Sequence, residues 1–145
     1  MKEETRIYAV IDTNVLVSSL FSSDGSSSPA RVVRSVLAGI ITPIYNDEII
    51  EEYKDVLSRD KFKFPCYLVE DLISVFTDYG LETSRTKSEE SFPDNDDVVF
   101  YEVAMSVENA YLVTGNIKHF PQKSCVVTPS QMVEILNEKG LLKKF

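Results

Sequence analysis

The sequence predicts an α/β domain, a three-layer α/β/α sandwich around a mainly parallel sheet, and three observations carry that prediction. Short apolar runs rich in β-branched and aromatic residues alternate with longer segments of helical period along the whole chain. Gly, Pro, Ser and Asn stand at the changeovers, where turns and caps require them. The composition is that of one globular core: 145 residues, 43% hydrophobic and 26% charged, close to the ordinary globular mix. Residues 1–145 therefore read as a single domain.

Arg6-Ile-Tyr-Ala-Val-Ile11 is a nearly continuous apolar run ended by Asp12-Thr13-Asn14, the pattern of a buried parallel strand. Val15 to Phe21 leads into a polar stretch, Ser22 to Ser28, with the composition of a flexible loop. Ser28 and Pro29 suit the cap and first turn of a helix that continues through Val32, Val33, Val36 and Leu37 to Gly39. Ile40 to Tyr45 is a second strand, in which Pro43 calls for an edge or an early position. Asn46 or Asp47 then caps a helix to about Leu57, with Ile49, Ile50, Tyr53, Val56 and Leu57 as its apolar stripe.

The next helix spans Pro65 to Tyr79 and ends at Gly80, with Leu68, Leu72, Val75, Phe76 and Tyr79 at helical spacing. Leu81-Glu82-Thr83 is a short strand, and Ser84 to Asp97 is a polar, acidic loop. Val98 to Val107 is helical, Ala110 to Thr114 is a buried strand stopped by Gly115-Asn116, and Ser124 to Thr128 is the last strand. Pro129 to Asn137 forms the last helix, before a basic end from Lys139 to Phe145.

Several function classes fall away on composition alone. The 23 acidic residues outnumber the 15 basic ones, a net charge of −8 and the wrong sign for a module that grips nucleic acid chiefly by neutralising phosphates. Carboxylates that hold a divalent cation remain compatible with that balance, because the bound ion offsets them. Cys66 and Cys125 are too few for a disulfide scaffold or a zinc finger, and the single His119 excludes a multi-histidine zinc site. Neither a phosphate-binding P-loop nor a Gly-x-Ser-x-Gly elbow is present. The apolar strip Ile7 to Ile11 is too short for a secretory signal, and no run is long enough for a membrane span, so a cytoplasmic location is expected.

Acidic or amide side chains stand at four element junctions: Asp12, the pair Glu51-Glu52, the run Asp94-Asn95-Asp96-Asp97, and Asn116. Each alone has a structural use as a helix cap, a solvated helix face or a turn. A parallel sheet, however, gathers the C-terminal ends of its strands, and ligands bind there. Carboxylates collected in one place repel one another and take up protons unless a cation neutralises them. Mg²⁺ or Mn²⁺ is the matching cation, since hard ions choose oxygen donors and complete their shells with water and substrate phosphate. With oxygen ligands and no protein nucleophile, the corresponding reaction is hydrolysis of a phosphodiester by activated water. An aspartyl-nucleophile phosphatase fits less well, because Asn14 occupies the place where its second Asp is needed.

In order along the chain, Val10-Ile-Asp-Thr-Asn-Val-Leu16, Ile49-Ile-Glu-Glu-Tyr-Lys-Asp-Val-Leu57, Pro93-Asp-Asn-Asp-Asp97 with Ala104 beyond it, and Tyr111-Leu-Val-Thr-Gly-Asn116 resemble the motifs of PIN-domain ribonucleases. The likeness covers about residues 6 to 135 and is to the branch described as toxins of bacterial and archaeal toxin–antitoxin pairs. It implies a five-stranded parallel sheet whose strand ends hold Mg²⁺ or Mn²⁺ and cut single-stranded RNA. Carried over by motif, Asp12 is the first acid, Glu52 the second with Glu51 beside it, and Asp97 the third with Asp94 as accessory. Asn116 takes the fourth place, where many PIN domains have Asp. Thr13 and Asn14 become groups that hold Asp12, with Thr114 a further accessory at the neighbouring strand end.

The resemblance also implies a cognate antitoxin and pairing of two copies. Arg31 and Arg34 on one helix face, the Arg59-Asp-Lys-Phe-Lys63 segment, and Lys118-His119 are the cations available to an RNA backbone, with Phe62, Phe64 and Phe120 as stacking faces. The competing reading is a PIN-like module that binds RNA or protein with little or no catalysis, motivated by Asn116 and the net acidity.

Overall fold

A computed structural model describes residues 6–142. Five strands, β1 (Ile7–Ile11), β2 (Ile41–Tyr45), β3 (Leu81–Glu82), β4 (Tyr111–Val113) and β5 (Val126–Val127), form one sheet in the order β3-β2-β1-β4-β5. Every pairing is parallel, with Ile7 opposite Ile41, Val10 opposite Leu112, Ile44 opposite Leu81 and Val113 opposite Val127. Six helices accompany it among the described residues: α1 (Thr13–Phe21), α2 (Ser28–Leu37), α3 (Asp47–Leu57), α4 (Cys66–Tyr79), α5 (Val98–Met105) and α6 (Pro129–Glu138).

Helices cover both faces of the sheet. Ala9, Val10 and Ile11 of β1 are each fully buried, and since successive side chains of a strand point to opposite faces, a single covered face does not achieve this. α5 packs against β1, β2 and β4, while α2 packs against β2 and is joined there by α1 and α6. The architecture is the α/β sandwich that the alternation of runs predicts.

Several elements differ in detail from the sequence reading. Thr13–Phe21 is a helix, with Val15 and Leu16 buried and Ser18 and Phe21 exposed, where the sequence marks only an apolar lead into a loop. The outermost strand pairs are short, Val126–Val127 rather than Ser124 to Thr128, because only the residues with a neighbouring strand join the ladder. The stripe of α4 is Val69, Leu72, Ile73 and Phe76, whereas Leu68 and Tyr79 are exposed. Both sets have helical spacing, and packing against α3 and β2 selects one of them. Leu37 likewise faces outward. β2 is an interior strand by order, yet β3 covers only its last two residues, so Pro43 lies where that side of the ladder is open. Gly80 fits there for a steric reason: a Cβ on it would collide with the carbonyl oxygens of Phe76 and Pro43. The basic end is described only as far as 142, and residues 143–145 lie outside the described residues.

The acidic loop between β3 and α5 is held down by one buried carboxylate. Glu102 of α5 is 5% exposed and accepts hydrogen bonds from Arg85 Nε and from the Ser88 backbone N–H, both at 2.7 Å. Arg85 also donates through Nη1 to Glu48 of α3 at 2.8 Å, so one guanidinium joins α3 to α5. Paired donors on both oxygens satisfy the buried charge, and they hold its pKa below the usual carboxylate range. Within the core, the fully buried Tyr53 of α3 donates its hydroxyl to the carbonyl oxygen of Ile11, the last residue of β1.

That bond generates a prediction. Tyr53→Phe leaves the Ile11 carbonyl without its side-chain donor in a dry site and is expected to destabilise the fold by about 1–3 kcal/mol. Urea unfolding of the two proteins measures it, and equal midpoints would show that the bond contributes nothing.

Candidate active site

β1 ends at Ile11, and the next residue, Asp12, caps α1 in an extended conformation. Its backbone N–H continues the sheet by donating to the Val113 carbonyl at 2.9 Å, which fixes the carboxylate over the seam between β1 and β4. The side chain is 5% exposed. Oδ2 accepts from Thr114 Oγ1 at 2.7 Å and from Asn14 Nδ2 at 3.2 Å. The Asn14 amide turns its other end to β4, its Oδ1 accepting from the Gly115 N–H at 3.0 Å. Thr114 is itself fully buried, and its Oγ1 accepts from the Asn116 N–H at 3.0 Å. The junctions after β1 and β4 are therefore one hydrogen-bonded unit with Asp12 at its centre.

Asp97 enters from the second direction. It closes a 3-10 turn, Asn95–Asp97, that leads directly into α5, and Asp94 caps that turn by accepting from the Asp96 N–H at 2.9 Å. The Asp97 charge adds to the rise of the Asp12 pKa, and its Oδ2 lies 3.1 Å from His119 Nδ1. Glu52 approaches from α3, half-buried and within electrostatic reach of Asp96 and Asp97. The structure thus brings Asp12, Glu52 and Asp97 to one end of the sheet. Glu51 is exposed on an acidic face that it shares with Glu52, Asp47, Glu48 and Asp55.

Burial is the main cause of raised carboxyl pKa values at all three acids, with neighbouring carboxylates adding to it. Burial, with a further contribution from Asp97, pushes the Asp12 carboxyl up to about 6 even though Thr114 and the backbone N–H groups of Thr13 and Asn14 pull the other way. Glu52 is raised by its burial and by Asp96 and Asp55, while Arg59 opposes the shift. Asp97 is raised by burial and by Asp94, and His119 opposes it. All donors in the cluster are oxygen, the set that suits Mg²⁺ or Mn²⁺. Among the described residues no three Asp, Glu, His or Cys side chains stand close enough to surround one ion. Thr13, beside Asp12, is buried, and its Oγ1 has no hydrogen-bond partner within the protein.

The remaining candidates are distributed unevenly. Asn116 is exposed at the mouth of the site and begins the 3-10 turn Ile117–His119, which carries Lys118 and His119. Arg31 is half-buried on α2, and Arg34 is occupied with the loop before α2, donating to the Gly25 carbonyl at 2.8 Å. Phe120 is buried in the core. Two groups that shape the site carry no sequence signal. Glu102 and Tyr53 look like ordinary helical residues, and only the packing shows that they hold α5 and α3 in place.

Among the described residues, no helix is long and apolar enough to cross a membrane. A family model described as PIN domain matches residues 8–118, a span that contains Asp12, Glu52, Asp97 and Asn116. No curated protein and no solved structure matches the chain. PIN domains are in general nucleases, hydrolases of phosphodiester bonds, and as a family typically use divalent metals. With that match over most of its length and a five-stranded parallel sheet gathering the acids, the chain belongs to the PIN domain family.

Proposed function

We propose that this protein is a metal-dependent endoribonuclease that cleaves single-stranded RNA with an activated water, acting in the cytoplasm as the toxin of a toxin–antitoxin pair. The observation that carries the reading is the Asp12 carboxylate, buried at the end of the central strand and held by Thr114 and Asn14. Asp12 and Asp97 would hold Mg²⁺ or Mn²⁺, with Glu52 at the rim; such an ion lowers the pKa of a bound water and stabilises charge on the scissile phosphate. Thr114 and Asn14 orient Asp12, and His119 orients Asp97. Glu52, whose pKa is raised by burial and by Asp96, is suited to take a proton from the attacking water at a carboxylate oxygen. For a protein partner, an apolar groove of about 310 Å³ lies between α1, α2 and α4, lined by Leu20, Val33, Leu68, Leu72 and Val75.

Asn116 supports a second reading, a PIN-like module that binds RNA with little or no hydrolysis, since an amide supplies no charge where many PIN domains have Asp. Incubation of the protein with a pool of single-stranded RNAs in Mn²⁺ or Mg²⁺, with EDTA as control, separates the two. Cleavage is expected, with Asp12→Asn and Asp97→Asn each lowering the rate at least roughly a hundredfold. Absence of cutting by folded protein would favour the binding module. The toxin role is tested by expression alone, which is expected to arrest growth, and by relief on co-expression of a neighbouring small reading frame.

Two further outcomes follow from the geometry. Thr114→Val removes the donor to Asp12 at nearly constant volume and is expected to weaken Mn²⁺ binding by roughly 10–100-fold in calorimetry; unchanged affinity would remove Thr114 from the site. The raised carboxyl of Asp12 makes stability depend on pH in a definite direction. Its contribution is fully present below the unfolded value of 3.8 and is lost as pH rises through about 6. At 1.36 kcal/mol per pKa unit the loss amounts to roughly 3 kcal/mol at pH 7. Asp12→Asn is therefore expected to raise the metal-free melting temperature at pH 7, with the difference closing near pH 4. Mn²⁺ is expected to stabilise the wild-type protein more than the variant. A variant less stable than wild type at pH 7 would contradict this account of the burial.

A further inference from the structure

Away from the acids, three aromatic rings meet at the far end of α1. Phe21 closes that helix, and its ring lies 5.8 Å from Phe62 and 5.1 Å from Phe64, centroid to centroid. Phe62 and Phe64 stack on each other at 5.4 Å with their planes 13° apart, and Lys61 Nζ sits 5.1 Å from the centroid of the Phe62 ring. Phe62 and Phe64 are thus occupied as a buttress, and both are half-buried. Phe21 is different: it is 58% exposed, an aromatic face presented to solvent at the end of an otherwise well-packed helix. Single exposed aromatics are ordinary, and Tyr67 and Tyr79 are exposed too, but at Phe21 the open ring is part of a cluster of three rings beside cations.

The chemistry around the ring names the partner class. The segment Arg59–Lys63 carries three cations against one acid in a chain whose net charge is −8. Arg59 is paired with Asp55 at 3.3 Å. Lys61 and Lys63 are exposed, and among the described residues neither has a carboxylate within ion-pair distance. An open aromatic face beside two lysines is the pairing that single-stranded nucleic acid recognises, one base on the ring and flanking phosphates on the ammonium groups.

The position connects this ledge to the acids. Asn14, which holds Asp12, and Ser18 and Phe21 follow one another along the solvent side of α1. Phe21 stands seven residues beyond Asn14, roughly 10 Å along the helix at the ordinary rise per residue. On the other flank, Arg59 is near enough to Glu52 to lower its pKa. The two helices that leave the acidic site, α1 and α3, therefore lead to the same aromatic and basic corner. We propose that Phe21, buttressed by Phe62 and Phe64 and flanked by Lys61 and Lys63, is a base-stacking subsite that grips the RNA strand beside the cleaved phosphodiester. The subsite rests on the nuclease reading for its substrate but not for its chemistry.

The test is fluorescence anisotropy with a short, end-labelled, single-stranded RNA and the full chain carrying Asp12→Asn to silence cleavage, repeated over a range of NaCl concentrations. Phe21→Ala is expected to weaken binding by about fivefold to a hundredfold. Phe21→Leu retains the apolar contact with Phe62 and Phe64 but not the flat face, and it is expected to weaken binding comparably. Lys61→Gln together with Lys63→Gln is expected to reduce the slope of log K against log salt by about 1.4. Unchanged affinity in the Phe21 variants, or a Phe21→Leu protein that binds like wild type, would overturn the subsite and leave the rings as packing or as a protein contact. Should the Phe21 variants not fold, the salt slope of the lysine variant decides, an unchanged slope overturning the proposal. RNA bound with these dependences but never cut by the wild-type chain would sustain the subsite and remove the hydrolytic reading. Asp12- and Asp97-dependent cutting with no effect of the ledge variants on binding would do the reverse.

Discussion

A carboxylate at the buried end of a central strand is the constraint on which this structure turns. β1 has neighbours on both sides and helices on both faces, so the residue that follows it has little access to water. An ionised Asp12 in that place needs donors, and the side chains of Thr114 and Asn14 supply them. They reduce the penalty without cancelling it, and the carboxyl remains well above its ordinary pKa.

The separation of the three acids is governed by groups that are not themselves in the site. Glu52 is followed by Tyr53, whose hydroxyl reaches the Ile11 carbonyl, so the residue beside the second acid is bonded to the residue beside the first. Asp97 opens α5, and Glu102 on that helix reaches Arg85, which continues to Glu48 on α3. One hydroxyl in the core and one guanidinium at its edge therefore set how far α3 and α5 stand from β1. This arrangement allows like charges to be held together: the attraction that locates the helices is built from buried neutral packing and paired ions, and the repelling carboxylates ride on it.

Much of the fold was legible because strand burial leaves a compositional trace. The runs Ile7–Ile11 and Tyr111–Val113 are apolar at consecutive positions, the mark of a strand covered on both faces, and they are the strands that flank the site. Pro29 and Pro129 announced helix starts through first-turn chemistry that does not depend on distant neighbours, although the cap of α2 is Ser27, whose Oγ accepts from the Ala30 N–H, and not Ser28. The helix Thr13–Phe21 gave a weaker signal, since its Ser-rich and β-branched sequence has modest helical propensity and packing against α2 secures it. On α4, two stripes have equal periodicity, and the choice of Val69 and Ile73 over Leu68 and Tyr79 is made by where α3 and β2 lie.

The sequence by itself determined the class of the fold, the order of its acidic motifs, and the oxygen-only chemistry that those motifs offer. These are local or compositional properties, set by the period of apolar residues and by residue type. Only the tertiary structure decided which glutamate of the Glu51-Glu52 pair turns toward Asp97, that Arg34 is spent on the Gly25 carbonyl, and that Glu102 anchors the loop leading to Asp94. It also decided that Phe21 ends beside Phe62 and Phe64. Each of these depends on contacts between residues far apart in the chain, and neither spacing nor propensity encodes the distance between two elements once they are packed.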